Sequence, residues 1–172
     1  TQAYQTIDVV RRGIDMIVNA AASFDYDVLE QIPGVIPTVP GMRLKKLNTL
    51  LNFQPNLYQD VSTFRRLLFI DLLLEGNAFI YYDGAYIYIL PAANVEILTD
   101  SKTLVSGYRY GSSKTVFTPD EIIHIQDNAG STIYRGEPRL KAAENSIRTI
   151  QTMLQFQDNF FKNGAVPGLI IT

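Results

Sequence analysis

A single histidine, no cysteine and one close-set acidic group are all that this 172-residue chain offers to conventional active-site chemistry. His124 stands in the run Ile122-Ile-His-Ile125 and the chain has no Gly-x-Ser-x-Gly elbow, so a serine nucleophile activated by an imidazole has no sequence support. A strand histidine whose ring bonds locally is the simpler reading. Asp25, Asp27 and Glu30 form the densest acidic group; on a strand Asp25 and Asp27 share a face, and hard divalent cations take such oxygens. A solvated strand face explains them more simply, and a small metal-dependent hydrolase is the alternative function class. Gly107 to Thr115 looks briefly like a phosphate-binding loop, but Ser113 replaces the glycine that must precede the lysine, and a strand follows where a helix is required. No Gly-x-Gly-x-x-Gly occurs, and no cofactor or metal is expected. Tyr81, Tyr82, Tyr86, Tyr88, Tyr108 and Tyr110 crowd one region, and bases stack on such rings. Residues two apart share a strand face, so these tyrosines divide between two sides. Cross-strand packing is therefore favoured over a nucleic-acid-binding module.

The composition points the same way. With 47% hydrophobic residues, and 15 basic against 17 acidic side chains, the chain reads as one folded domain with a core of its own. The absence of cysteine removes disulfide frameworks, thiolate nucleophiles and cysteine metal sites, and makes a reducing compartment the simplest assumption. A net charge of −2 argues against a dedicated nucleic-acid clamp. Apolar runs fall far short of the ~20 residues a membrane-spanning helix needs, Asp71 interrupting the longest. The polar opening from Thr1 to Asp8 shows no signal peptide, and the chain is expected to be a piece of something longer.

The elements that would carry these residues are legible from periodicity. Ile7, Val10, Ile14, Ile17, Val18 and Ala21 recur at helical spacing, predicting an amphipathic helix over Tyr4 to Ala22. The Gln31 to Met42 stretch is uncharged and rich in proline and glycine, an extended excursion expected to lie against the core or a neighbouring subunit. A short helix is expected over Arg43 to Leu51. A buried one follows over Phe64 to Glu75, capped by Asp60 or Ser62 and closed by Gly76-Asn77. Phe79 to Leu90 reads as two strands joined by a two-residue Asp83-Gly84 turn. Short strands then continue to Phe117, Thr118 to Glu121 has the form of a capping box, and Ile122 to Ile125 is a further strand. Pro138 to Lys162 reads as one long helix ended by Asn163-Gly164, and Gly168 to Thr172 as a strand. The expected class is α+β: a small antiparallel sheet with an Asp-Gly hairpin packed against several helices, one of them long and C-terminal.

Seven blocks follow one another in order: Leu50-Leu-Asn-Phe-Gln-Pro-Asn56, Phe64-Arg-Arg66, Asp71-Leu-Leu-Leu-Glu-Gly-Asn-Ala-Phe-Ile-Tyr81, Gly107-Tyr-Arg-Tyr110, Phe117 to Ile125, Arg135-Gly-Glu-Pro138 and Phe160 to Gly168. In this order they resemble the portal proteins of tailed bacteriophages. One residue is extra before Pro55-Asn56, and the stem, clip and channel-loop regions of that family are absent, so residues 1–172 resemble its wing-like part. The resemblance implies a structural, non-enzymatic subunit of a homo-oligomeric ring, usually of twelve, at one vertex of the virion capsid. Such a ring passes double-stranded DNA in packaging and ejection. Its partners would be the major capsid protein, the terminase large subunit and a head-tail adaptor, with no membrane involved and assembly in the bacterial cytoplasm. Ile32, Val35, Ile36, Val39, Arg139 and Arg148 are the candidate subunit-interface residues, on the uncharged excursion and the long helix.

Overall fold

The strand that begins at Asn77 is apolar on both faces because it is covered on both. The computed structural model describes residues 4–5, 7–26, 42–101, 104–112, 115–127 and 132–163. Three helices precede the strands: α1 (Asp8–Ala22), α2 (Met42–Asn52) and α3 (Val61–Glu75). They are followed by β1 (Asn77–Tyr82), β2 (Ile87–Leu90), a 3-10 turn at Ala92–Asn94, β3 (Val95–Asp100), β4 (Leu104–Tyr110), β5 (Val116–Phe117) and β6 (Ile122–Gln126). A second 3-10 turn, Arg139–Ala143, leads into α4 (Glu144–Lys162). The class is α+β, as expected. The strands divide into two antiparallel three-stranded sheets, ordered β2-β1-β6 and β3-β4-β5. Pro91 and the 3-10 turn after it swing the chain from the first sheet into the second.

Alternation along β1 builds the layers. Ala78 and Ile80 face the helices and pack with Leu50, Phe64, Leu68 and Ile87, whereas Phe79 faces the second sheet and packs with Val95, Tyr108 and Ile122. Beyond α3, Ile14 and Val18 of α1 meet Leu74, with Leu140 against them. The order is thus α1, then α3 with α2, then one sheet, then the other. Asp60 caps α3 through its carboxylate on the Thr63 N–H at 2.7 Å, and Gly76 ends it in the left-handed region at φ 69°.

Several local expectations give way to tertiary contacts. The Asp83-Gly84 loop holds four residues, because β1 ends at Tyr82 and β2 starts at its partner Ile87. Gly84 takes positive φ, while Asp83 serves as an acceptor for the N–H groups of Ala85 and Tyr86 at 2.8 and 2.7 Å. Thr118 to Glu121 keeps its capping-box form as a turn, with Glu121 Oε2 accepting the Thr118 N–H at 2.8 Å, and leads into β6 as expected. The expected long helix winds from Arg139 to Lys162, with regular α geometry from Glu144. Its first turn winds as 3-10 while Arg139 is tied to Asp127 and Leu140 is turned toward α1. Ile17, expected on the buried face of α1, is exposed; α3 covers the face carrying Ile14 and Val18.

Three buried polar side chains join the layers. Arg65 donates to the carbonyls of Phe24 at 2.6 Å and Leu51 at 3.1 Å, so one guanidinium closes the C-terminal ends of α1 and α2, where helix dipoles favour a cation. Asn56 donates to Ile87 O at 3.0 Å and accepts the N–H groups of Tyr58 and Gln59, fastening the loop before α3 to β2. Asn77 donates to Glu75 O and Gly136 O and accepts the Gly136 N–H at 2.9 Å. At that joint the backbones pass so closely that a Cβ on Gly136 would collide with the carbonyls of Asp127 and Gly76, and one on Gly76 with Glu137.

Two half-buried groups titrate in opposite senses. Burial pushes the Asp71 carboxyl up to about 6, against the Ala92 N–H it accepts at 2.9 Å and with help from Glu75. Burial, then the charge of Arg135, pulls His124 down to about 4. His124 stacks on Phe79 at 4.3 Å between centroids. Its Nε2 lies 3.0 Å from Asn77 Oδ1, so the neutral ring donates there. The contribution of Asp71 is present at low pH and lost as pH rises through about 6. That of His124 is present above 6.5 and lost as pH falls toward about 4.

Three outcomes are expected in chemical denaturation. Gly136→Ala costs more than about 3 kcal/mol, because backbone and not a flexible side chain fills the space. Arg65→Met costs about 3 kcal/mol, from stranding buried carbonyls, whereas loss of the exposed Asp8–Arg12 pair in Arg12→Ala costs about 0.5 kcal/mol. Between pH about 4 and 6 the wild-type stability stays nearly level, rises with pH in Asp71→Asn and falls with pH in His124→Gln, each slope amounting to about 1 kcal/mol after solvent screening.

Candidate subunit interface

The residues singled out for chemistry occupy structural positions wherever the structure describes them. His124 is a neutral joint between β6 and β1. Asp25 lies 3.5 Å from Arg65 Nη1, while Asp27 and Glu30 fall outside the described residues. Among the described residues no group of three or more histidine, aspartate or glutamate side chains is placed to hold a metal ion. Gly107 sits mid-strand in β4, where a Cβ would meet Phe117 O and Val116 Cγ1 at 2.8 Å, so the glycine lets β5 approach; Ser113 and Lys114 fall outside the described residues. The tyrosines are divided as alternation requires. Tyr82 and Tyr86 pack toward the helices, and Tyr81, Tyr108 and Tyr110 lie between the sheets. No helix among the described residues is long and apolar enough to cross a membrane.

Of the six candidate interface residues, Ile32, Val35, Ile36 and Val39 fall outside the described residues, as do Gly164 and the strand expected at Gly168 to Thr172. Arg139 and Arg148 are both exposed and both already paired. Arg139 forks onto the Asp127 carboxylate, with Nη2 2.8 Å from Oδ1, and so pins the root of α4 to the end of β6. Arg148 pairs one turn back with Glu144 at 2.7 Å. The two arginines thus lie at the start of a helix whose body is bare: α4 has no buried residue, and Met153, Leu154, Phe156, Phe160 and Phe161 are all exposed, Phe156 at 70%. An amphipathic helix whose apolar side is left uncovered by the described residues is the feature that asks for another surface.

A second such face was not anticipated by periodicity. Opposite its buried stripe, α1 exposes Val9, Met16 and Ile17, Met16 at 72%. Gly13 lies between them with nothing within 4 Å of the position a Cβ would take. The signal was present in the sequence as apolar residues on both sides of one helix, which the stronger Ile14–Val18 stripe masked.

Comparison with known proteins places this architecture. The phage portal protein family matches residues 8–172. The portal protein of Escherichia phage T5 is 35% identical over 174 residues, covering 99% of this chain and 43% of that protein. The portal protein of Enterobacteria phage HK97 is 29% identical over 178 residues, covering 96% of this chain and 40% of that one. The chain therefore spans less than half the length of these relatives. Among solved structures, the neck of an empty gene transfer agent particle, with sixfold symmetry applied, has a chain that matches with TM-score 0.77 at 19% identity, over 96% of this chain and 45% of its own. The neck of the native particle, with twelvefold symmetry, matches with TM-score 0.71 at 20% identity, over 92% and 42%. Those two share the fold. With the family match running from the first turn of α1 to the last residue, the chain belongs to the phage portal protein family.

Proposed function

We propose that this chain is the wing-like part of a portal subunit, a structural element of a ring through which double-stranded DNA passes in packaging and ejection. The observation that carries the reading is the family match over residues 8–172, joined to a helix, α4, that presents an apolar side left exposed by the described residues. Portal relatives from two phages, and necks solved with cyclic symmetry, support assembly as a ring in a virion; twelve is the subunit number we favour. In this reading the protein makes and breaks no covalent bond. It works by shape and by holding its neighbours in register.

A closed ring of like subunits needs two different surfaces per subunit, since each contact is head to tail. We place one of them on the exposed side of α4, with Arg148 at its margin, its charge already met by Glu144. The capsid protein, the terminase large subunit and a head-tail adaptor are the proposed further partners, with the virion as the site of action and the bacterial cytoplasm as the site of assembly.

Imaging of the full-length protein, with mass measured in solution, is expected to show closed rings with a central hole. Because the apolar side of α4 supplies the contact and the adjoining charges are paired within the helix, the rings persist at ~1 M salt, where exposed charge pairs are screened within about 3 Å. A monodisperse monomer at every concentration and salt would overturn the reading.

A further inference from the structure

The exposed faces of α1 and α4 match each other in spacing, size and margin. On α1 the outward row is Val9, Gly13, Met16 and Ala20, with steps of four, three and four residues; on α4 it is Thr149, Met153, Phe156 and Phe160, with the same steps. Steps of four and three are the seam of helices packed at a shallow angle, knobs into holes. Both rows run eleven residues, or about 16 Å. One carries rings and the other a notch: Gly13 has open space where a side chain would stand, and Phe156 and Phe160 are exposed and stack on each other at 6.3 Å between centroids. Within one chain α1 packs on α3, and α4 has its main contact with its own 3-10 root, so neither row is occupied by a described element.

We infer that α4 of one subunit lies antiparallel on the outer face of α1 of the next, with Phe156 seated over Gly13, Phe160 against Val9, and Met153 against Met16. The inference rests on the ring reading above and assigns its two contact surfaces. The antiparallel sense follows from the margins. In that sense like edges meet, so the apolar shoulder Ile17 comes beside Ile150 and Leu154. The ion pairs Asp8–Arg12 and Glu144–Arg148, each closed within its own helix at 2.7 Å, then lie on the other, solvent edge, at opposite ends of the seam. Because each pair is already neutralised, closing the seam brings no unpaired charge out of water.

The test uses the full-length protein. Gly13→Leu fills the notch while improving helix propensity, so folding by circular dichroism and thermal unfolding is kept. Ring assembly by mass photometry is expected to require about tenfold or more higher protein concentration, and Phe156→Ala added to Gly13→Leu to recover part of that loss. Independently, Val9→Cys with Phe160→Cys is expected to give a ladder of disulfide-linked subunits under mild oxidation, whereas Val9→Cys with Thr149→Cys, the parallel register, gives none. Rings that form normally in Gly13→Leu, or a ladder only from the parallel pair, would overturn the pairing and leave the ring reading standing. Absence of rings in the wild type would remove both.

Discussion

Two backbone stretches cross at Gly76 and Gly136 with no room between them for a side chain, and the arrangement of this molecule depends on that crossing. Gly76 ends α3 in a left-handed turn, Asp127 N donates to Gly76 O at 2.9 Å at the end of β6, and the segment through Gly136 toward α4 passes over both. Asn77 fills the joint with an amide whose donors and acceptor all have partners. A buried amide so placed is costly to disturb, since any shift leaves several polar groups dry and unpaired. The crossing therefore sets where the last segment of the chain leaves the body. Arg139, tied to Asp127 next to it, sets the direction in which α4 points.

The same economy appears at the other joints. Arg65 gathers the ends of two helices, stacks 4.7 Å over the ring of Tyr26, and leaves only Nε, among the described residues, buried without a partner. Asn56 fastens a loop to a strand start. Asp71 takes the Ala92 N–H where the chain moves between sheets, and Arg135 donates to Ala92 O at 3.0 Å from the other side. These groups look like chemistry in a sequence, yet each is spent on satisfying backbone atoms at a point where regular structure stops.

On the proposed ring reading, function is a matter of surfaces. The faces that the layered body leaves exposed are not random: α1 and α4 each retain an apolar row, and each row is bordered by charges neutralised within the helix. Apolar rows so bordered favour association that is insensitive to salt and strict about direction. A ring built head to tail needs both properties.

Much of this was legible from the residues. The periodicity of α1, α2 and α3, the Asp60 cap, the Gly76 stop and the strand runs depend on interactions spanning a few residues, and the sequence states those directly. The order of motifs also carried the family likeness. Tertiary structure decided the rest: that the strands form two sheets, and that the first turn of the long helix, Arg139–Ala143, winds as 3-10. It also decided that Ile17 faces outward and that His124 is neutral. Each of these turns on partners far along the chain, Gly136 against Asn77 or Arg139 against Asp127. Local propensity can specify an element; which of its faces is covered depends on what the folded chain brings to it.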